Sequence, residues 1–277
     1  MNFFKIDGEN KLASELAQCR GLHALFCWCK NRKDLKIDKK VCAHDQVVGV
    51  GQTLTFYYDA NKFFGKYFDV VFEDENVIVV NKHSGIEVCD SSSHLLGMLC
   101  LNRERVFAVH RLDRQTRGLC VFAKNKTAQS ALTNAFRSHS QIEKTYIADV
   151  EGRLEMSEGT LLVHYHKKDA KNSKVSISDF AKQGFSKIQT IINSTHFDGK
   201  NTRVKVRILT GKTHQIRAVL AHLSHAVLGD GKYGRAKNGD VLHLCAQSLK
   251  FNFGAQSPLA YLNEKSFCVD ANFNTAT

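Results

Sequence analysis

Between residues 110 and 118 the chain reads His110-Arg111-Leu112-Asp113-Arg114-Gln115-Thr116-Arg117-Gly118, a charged run in which one carboxylate, Asp113, sits among cations. Strand-like stretches flank it, Arg105-Val106-Phe107-Ala108-Val109 before and Leu119-Cys120-Val121-Phe122-Ala123-Lys124 after, both rich in β-branched and aromatic residues. A carboxylate on a tight connection between buried strands is rigidly held yet accessible, which suits a catalytic group. Ionised, it can act as a nucleophile or as a base, and in a largely dry pocket it then needs a cation beside it.

Periodicity locates the elements that must carry this loop. Residues 68–82 read as strand, acidic turn (Glu73-Asp74-Glu75-Asn76) and strand. Residues 93–102 present Leu95, Leu96, Met98, Leu99 and Leu101 as a helical apolar face, and 126–138 form a cleaner amphipathic helix with Ala128, Ala131, Leu132, Ala135 and Phe136 on one side. Residues 202–209 alternate, turning Val204, Val206 and Ile208 inward and Arg203, Lys205 and Arg207 towards phosphates or solvent. A helix from Thr213 buries Ile216, Val219, Leu220 and Leu223 and leaves Arg217 on its flank. Between Tyr165 and Lys187 the lysine-rich run 167–174 has no apolar period and reads as an exposed loop able to clamp RNA. Near the N-terminus a helical stretch over 12–30, a basic turn Lys30-Asn31-Arg32-Lys33, and strands at 35–37 and 53–58 follow one another.

Composition limits the class. The 277 residues, 43% hydrophobic and 24% charged, suit a folded protein with one sizeable core and a small accessory module. No apolar run is long enough for a membrane span, and Met1-Asn2-Phe3-Phe4-Lys5 lacks the pattern of a secretory signal, so a cytoplasmic place with no membrane partner is expected. Nine scattered cysteines without a Cys-x-x-Cys pair read as reduced thiols. Although there are thirteen histidines, His222 and His225 lack evident thiolate or carboxylate partners, and no metal is expected. The net charge of +12 and pI near 9.3 favour a polyanionic partner.

Four stretches in order bring these features together: Val77-Ile78-Val79-Val80-Asn81-Lys82-His83-Ser84-Gly85; the run around Asp113; Glu143-Lys144-Thr145-Tyr146-Ile147-Ala148-Asp149-Val150-Glu151-Gly152; and Thr210-Gly211-Lys212-Thr213-His214-Gln215-Ile216-Arg217, continued by Gly229-Asp230-Gly231-Lys232-Tyr233-Gly234. From about Val70 to Phe251 the chain thereby resembles the RluA-type pseudouridine synthases, RNA uridine isomerases. Three positions depart from that family's pattern: His83 replaces Pro, Arg117 replaces Ser, and Cys245 replaces His in a late strand.

The resemblance implies an α+β protein with a mixed, mostly antiparallel catalytic sheet flanked by helices over 61–277. Residues 1–60 would form a small basic module, S4-like or simply β-rich. It implies isomerisation of uridine in structured RNA without metal or organic cofactor, with large-subunit ribosomal RNA the expected substrate and transfer RNA second; a monomer is expected. Asp113 is then the nucleophile or base, Arg217 its cation, and Tyr146 the ring that stacks on the extruded base. His110, Arg111, Lys82, Arg117, Lys144, Lys212 and His214 are expected at the RNA. Arg117 would strengthen RNA binding, crowd the base pocket, or compete with Arg217 for Asp113. Two rival readings are a noncatalytic RNA-binding or ribosome-assembly protein on the same fold, and a glycoside hydrolase using Asp113, which lacks a second carboxylate at a matching motif.

Overall fold

The computed structural model describes residues 2–103, 105–138, 140–169, 174–237 and 239–273. The N-terminal region holds strands β1 (Asn2–Asp7), β2 (Lys11–Leu12), β3 (Leu35–Ile37), β4 (Lys40–Val41), β5 (Val47–Val48) and β6 (Thr53–Tyr58), and helices α1 (Ala13–Cys19), α2 (His23–Asn31) and α3 (Ala60–Phe64). Strands β1, β6, β3 and β4 form one sheet in that order, and β2 pairs with β5. The single helical stretch expected over 12–30 is two helices, because Gly21, at φ 68, turns the chain between them. Strand β1 is unanticipated: most of its side chains are exposed, and pairing with β6 together with the buried Ile6 holds it. Both helices bury apolar residues, among them Leu16, Leu25 and Phe26, against Ile6, Leu35, Leu54 and Phe56.

Strands β7 (Phe68–Glu73), β8 (Val77–Lys82), β9 (Phe107–Ala108), β10 (Arg117–Ala123), β11 (Ile142–Glu151), β12 (Thr160–Asp169), β13 (Lys174–Ser178), β14 (Ser186–Phe197), β15 (Asn201–Ile208), β16 (Leu244–Phe251) and β17 (Ser266–Cys268) join in one sheet. Its path runs β13-β12-β14-β15-β11-β16-β10-β8-β7, with β17 on β16 and β9 on β10. Every one of these pairs is antiparallel except β10 with β16. Helices α4 (Leu95–Leu99), α5 (Lys126–Ser138) and α6 (Gln215–His222) complete the mixed α+β architecture.

Burial on both faces explains the unbroken apolar runs of β8 and β10. Ile78, Val80, Cys120 and Phe122 enter the core shared with the N-terminal region, while Val77, Val79, Leu119 and Val121 meet Ala128, Leu132 and Ala135 of α5. Each large side chain so placed contributes about 1.5–3 kcal/mol. The expected loop over 165–187 is instead largely the hairpin β12–β13 and the start of β14. Its lysines mask a period-2 pattern in which His164 and His166 share one face with Val175 and the half-buried Ile177. The 170–173 part of that reading lies outside the described residues. Among the described residues no helix is long and apolar enough to cross a membrane.

The loop bearing Asp113 is anchored where β10 leaves it. Gly118 pairs with Lys82 on one side and, in parallel, with Ala246 on the other. It sits at φ 110, and a Cβ there would lie 2.3 Å from the Ala246 carbonyl oxygen. Gly118→Ala is therefore expected to cost more than about 2 kcal/mol in denaturant unfolding. Gly254→Ala, which meets open space, should change stability by less than about 0.5 kcal/mol.

Candidate active site

The loop 109–116 opens onto a cleft of about 960 Å³ whose walls come from α5, β11, the loop 211–214, the first turn of α6 and Lys168 of β12. Its lining carries eight cationic side chains, Arg111, Arg114, Arg137, Lys144, Lys168, Lys212, Arg217 and Lys232, against two carboxylates, Glu87 and Asp113. Such a wall favours a polyanion over a neutral sugar.

Asp113 and Arg217, 104 positions apart, meet at 3.0 Å between Oδ2 and Nη1. Arg217 is itself gripped by Asp230, whose carboxylate accepts from Nε at 2.7 Å and from Nη2 at 2.8 Å. Asp230 is almost completely buried and also accepts from the backbone amides of Lys232 and Tyr233 at 2.8 and 3.1 Å. Burial by itself lowers the Arg217 pKa and raises that of Asp230, but their mutual hydrogen bonds more than offset this, so Arg217 is raised and Asp230 lowered. The guanidinium is thus a fixed, charged fork with one nitrogen left for Asp113. Gln215, buried at the start of α6, steadies the preceding loop by accepting from Thr210 Oγ1 at 2.8 Å and Lys212 N at 3.2 Å while donating to Gln189 O at 3.0 Å.

The other expected residues divide. Tyr146 and Lys144 of β11 both line the cleft, on either side of a register shift at 145/146. Burial pushes the Tyr146 phenol well up, with nearby Asp113 adding to it, and draws the Lys144 ammonium down. Arg111, Lys212 and His214 also reach the cleft, with Arg111 exposed and 3.4 Å from Asp90. His110 lines it too, but its Nε2 accepts from Val121 N at 3.0 Å and its ring stacks on Phe136. Burial, with Lys144 nearby, draws its pKa down to about 3, so it is a neutral brace for the loop.

Two of the expected residues, Lys82 and Arg117, do not line the cleft. Lys82 is fully buried, and its Nζ donates to the carbonyls of His83, Ile86 and Arg114 at 2.9, 2.8 and 3.0 Å. Its charge is spent tying the 83–86 loop to the Asp113 loop and is not available to a phosphate; burial draws its pKa down to about 8. Arg117 turns away from Asp113 to bond Asp270 O at 3.0 Å and cover the Phe273 ring, because as the first residue of β10 its side chain projects on the sheet face that carries Cys245. It neither competes with Arg217 nor lines the cleft. The His83 departure is accommodated, since its amide donates to Tyr67 O at 2.8 Å, a bond proline would forfeit.

Asp230 and Tyr233 went unassigned by sequence reasoning, although an acid and an aromatic within a glycine-rich run were the signal for both. His222 does have a carboxylate partner: Asp179, from the turn after β13, lies 2.9 Å from its Nε2. Among the described residues these two and His164 bring donor atoms within 4.8 Å of one another. Likewise Arg203 and Arg207 of β15 are paired with Asp149 and Glu143, so neither is an unpaired cation awaiting phosphate.

The model of the RNA pseudouridylate synthase family matches residues 76–222. The chain belongs to this family. It is an isomerase of the RluA type, as its motifs implied, and its substrate is RNA. An uncharacterized RNA pseudouridine synthase of Mycoplasma capricolum is 29% identical over 88% of this chain and 87% of its own length. Ribosomal large subunit pseudouridine synthase D of Xylella fastidiosa is 33% identical over 60% of this chain, which spans 51% of that relative. The solved structure of human RNA Pseudouridylate Synthase Domain Containing 1 shares the fold, with a TM-score of 0.59 at 22% identity over 73% of this chain and 83% of that one.

The position of Lys82 leads to an expected outcome. Lys82→Met should lower unfolding free energy by about 3 kcal/mol or more, because three buried carbonyls lose their donor. A phosphate-contact role would instead leave stability unchanged and weaken RNA binding.

Proposed function

We propose that the cleft isomerises specific uridines in structured RNA, large-subunit ribosomal RNA first, with Asp113 as the nucleophile or base. The observation that carries this reading is the buried Asp230–Arg217 pair holding Asp113 at the floor of a cationic cleft beside Tyr146.

Pseudouridine formation breaks the bond from ribose C1′ to N1, rotates the base and joins C1′ to C5, with loss of the C5 proton and no net redox change. Both side chains that approach the Asp113 carboxylate lie on Oδ2, Arg217 Nη1 at 3.0 Å and His214 Nε2 at 3.7 Å. Among the described residues Oδ1 takes no hydrogen bond, so it is the oxygen presented to the ribose. From there it attacks C1′ to form a glycosyl ester or removes the 2′ hydrogen to form a glycal. Tyr146 supplies the aromatic face against which the extruded base turns, and Arg111, Lys144, Lys168 and Lys212 offset the cost of extrusion, on the order of a few kcal/mol, through phosphate contacts.

Residues 1–60 act as an S4-like RNA-binding module and 61–277 as the catalytic domain. Support comes from the two helices followed by short strands and from the exposed basic turn at Arg32 and Lys33. The protein works as a monomer in the cytoplasm, in keeping with its nine free thiols. The large-subunit target rests on the printed name of the Xylella fastidiosa relative.

Release of tritium from C5-labelled uridine in ribosomal and transfer RNA transcripts tests the reading. Asp113→Asn should slow release about a thousandfold or more while RNA affinity stays nearly intact. Equal rates for variant and wild type would refute the role of Asp113, and release from transfer RNA alone would refute the ribosomal target.

A further inference from the structure

At the N-terminus of α6 a chain of polar contacts begins outside the cleft with two hydrogen bonds and ends with His214 facing Asp113. Val175 of β13 donates its amide to the Tyr233 hydroxyl at 2.9 Å, and that hydroxyl lies 2.9 Å from His214 Nδ1. The opposite nitrogen of His214, Nε2, faces Asp113 Oδ2 at 3.7 Å. His214 is held in this pose by a left-handed backbone, φ 53, which a side chain other than glycine seldom adopts.

Proton counting selects one arrangement. A phenol has one proton to give. Among the described residues the Tyr233 oxygen has two hydrogen-bond partners, and Val175 N–H can only donate. The arrangement that gives the phenol proton an acceptor among the described residues sends it to the remaining partner, His214 Nδ1, which accepts only when unprotonated. A neutral imidazole then carries its single proton on Nε2. The charges facing His214 are Asp113, Arg217, Lys232 and Asp230, and burial together with the two cations opposes an imidazolium.

Resting on the function proposed above, we infer that Tyr233 fixes His214 as the Nε2–H tautomer and so makes it a positioning residue for Asp113. Its N–H dipole and the Arg217 guanidinium hold the same oxygen, Oδ2, from two sides, which keeps Oδ1 turned to the ribose. At 3.7 Å the contact is directional electrostatics rather than a formed hydrogen bond, and a small inward movement completes it. The chain also reaches the RNA-facing arm. Val175 pairs in register with Lys168, a lysine of the cleft wall, so a phosphate that seats Lys168 also seats the amide that orients Tyr233.

The test combines nitrogen-15 NMR of histidine-labelled protein with single-turnover isomerisation of RNA. His214→Asn, an exchange that a left-handed position tolerates, identifies the resonance by its loss. Wild type should show His214 as the neutral Nε2–H tautomer. Tyr233→Phe, which removes only the hydroxyl, should shift His214 towards a mixture and slow isomerisation about tenfold with unchanged RNA affinity. A wild-type His214 that is protonated on Nδ1, or a Tyr233→Phe protein with the wild-type rate, overturns the inference. A wild-type protein that isomerises no RNA overturns the proposed function instead, and the NMR tautomer still decides the state of His214.

Discussion

A largely buried guanidinium shared between two carboxylates is the constraint around which this protein is arranged. Burying Arg217 and Asp230 carries a desolvation penalty of several kcal/mol per ion, recovered only because the pair is bidentate and Asp230 also accepts two backbone amides. That geometry leaves Nη1 pointing at one place, and Asp113 occupies it. If Asp230 were absent, Arg217 would be free to turn its whole fork onto Asp113 and tie up both of its oxygens. The third member of the triad thus decides how much of the second is left for chemistry.

The scaffold brings three distant segments to that point by means that tolerate little substitution. The parallel contact of β10 with β16 draws the end of the Asp113 loop against Ala246, at a spacing that admits only glycine at 118. Lys82, buried at the end of β8, holds the adjacent loop by three carbonyls and so acts as an internal staple. From the far side, the hairpin β12–β13 reaches α6 through His166 to Thr213 O, Val175 to Tyr233 and Asp179 to His222. A cationic arm and the catalytic helix are therefore one mechanical unit, which is a reason for RNA binding and active-site order to be linked.

Much of this was legible in the chain because its strongest patterns are local. The apolar runs of β8 and β10, the helix over 126–138 and the late strand that carries Cys245 lie where periodicity and motif placed them. Asp113, Tyr146 and Arg217 were identified through motifs, and the fold does bring them to one cleft. What escaped notice depends on partners distant in sequence. Lys82 and Arg117 look like free cations until the carbonyls and the C-terminal segment that occupy them are in place. The hairpin over 160–178 hides its alternation beneath lysines, and β1 is a strand only because β6 offers it an edge. Asp230 was read merely as part of a glycine-rich turn because its role comes entirely from Arg217, thirteen residues away.

Pseudouridine mapping by carbodiimide labelling and reverse transcription, on total RNA from cells with and without this gene, tests the central claim most directly. Loss of a reverse-transcription stop at one or a few uridines of large-subunit ribosomal RNA, restored by the wild-type gene, is the result this account predicts. An unchanged map across all RNAs would contradict it and point to a protein that kept the fold for binding alone.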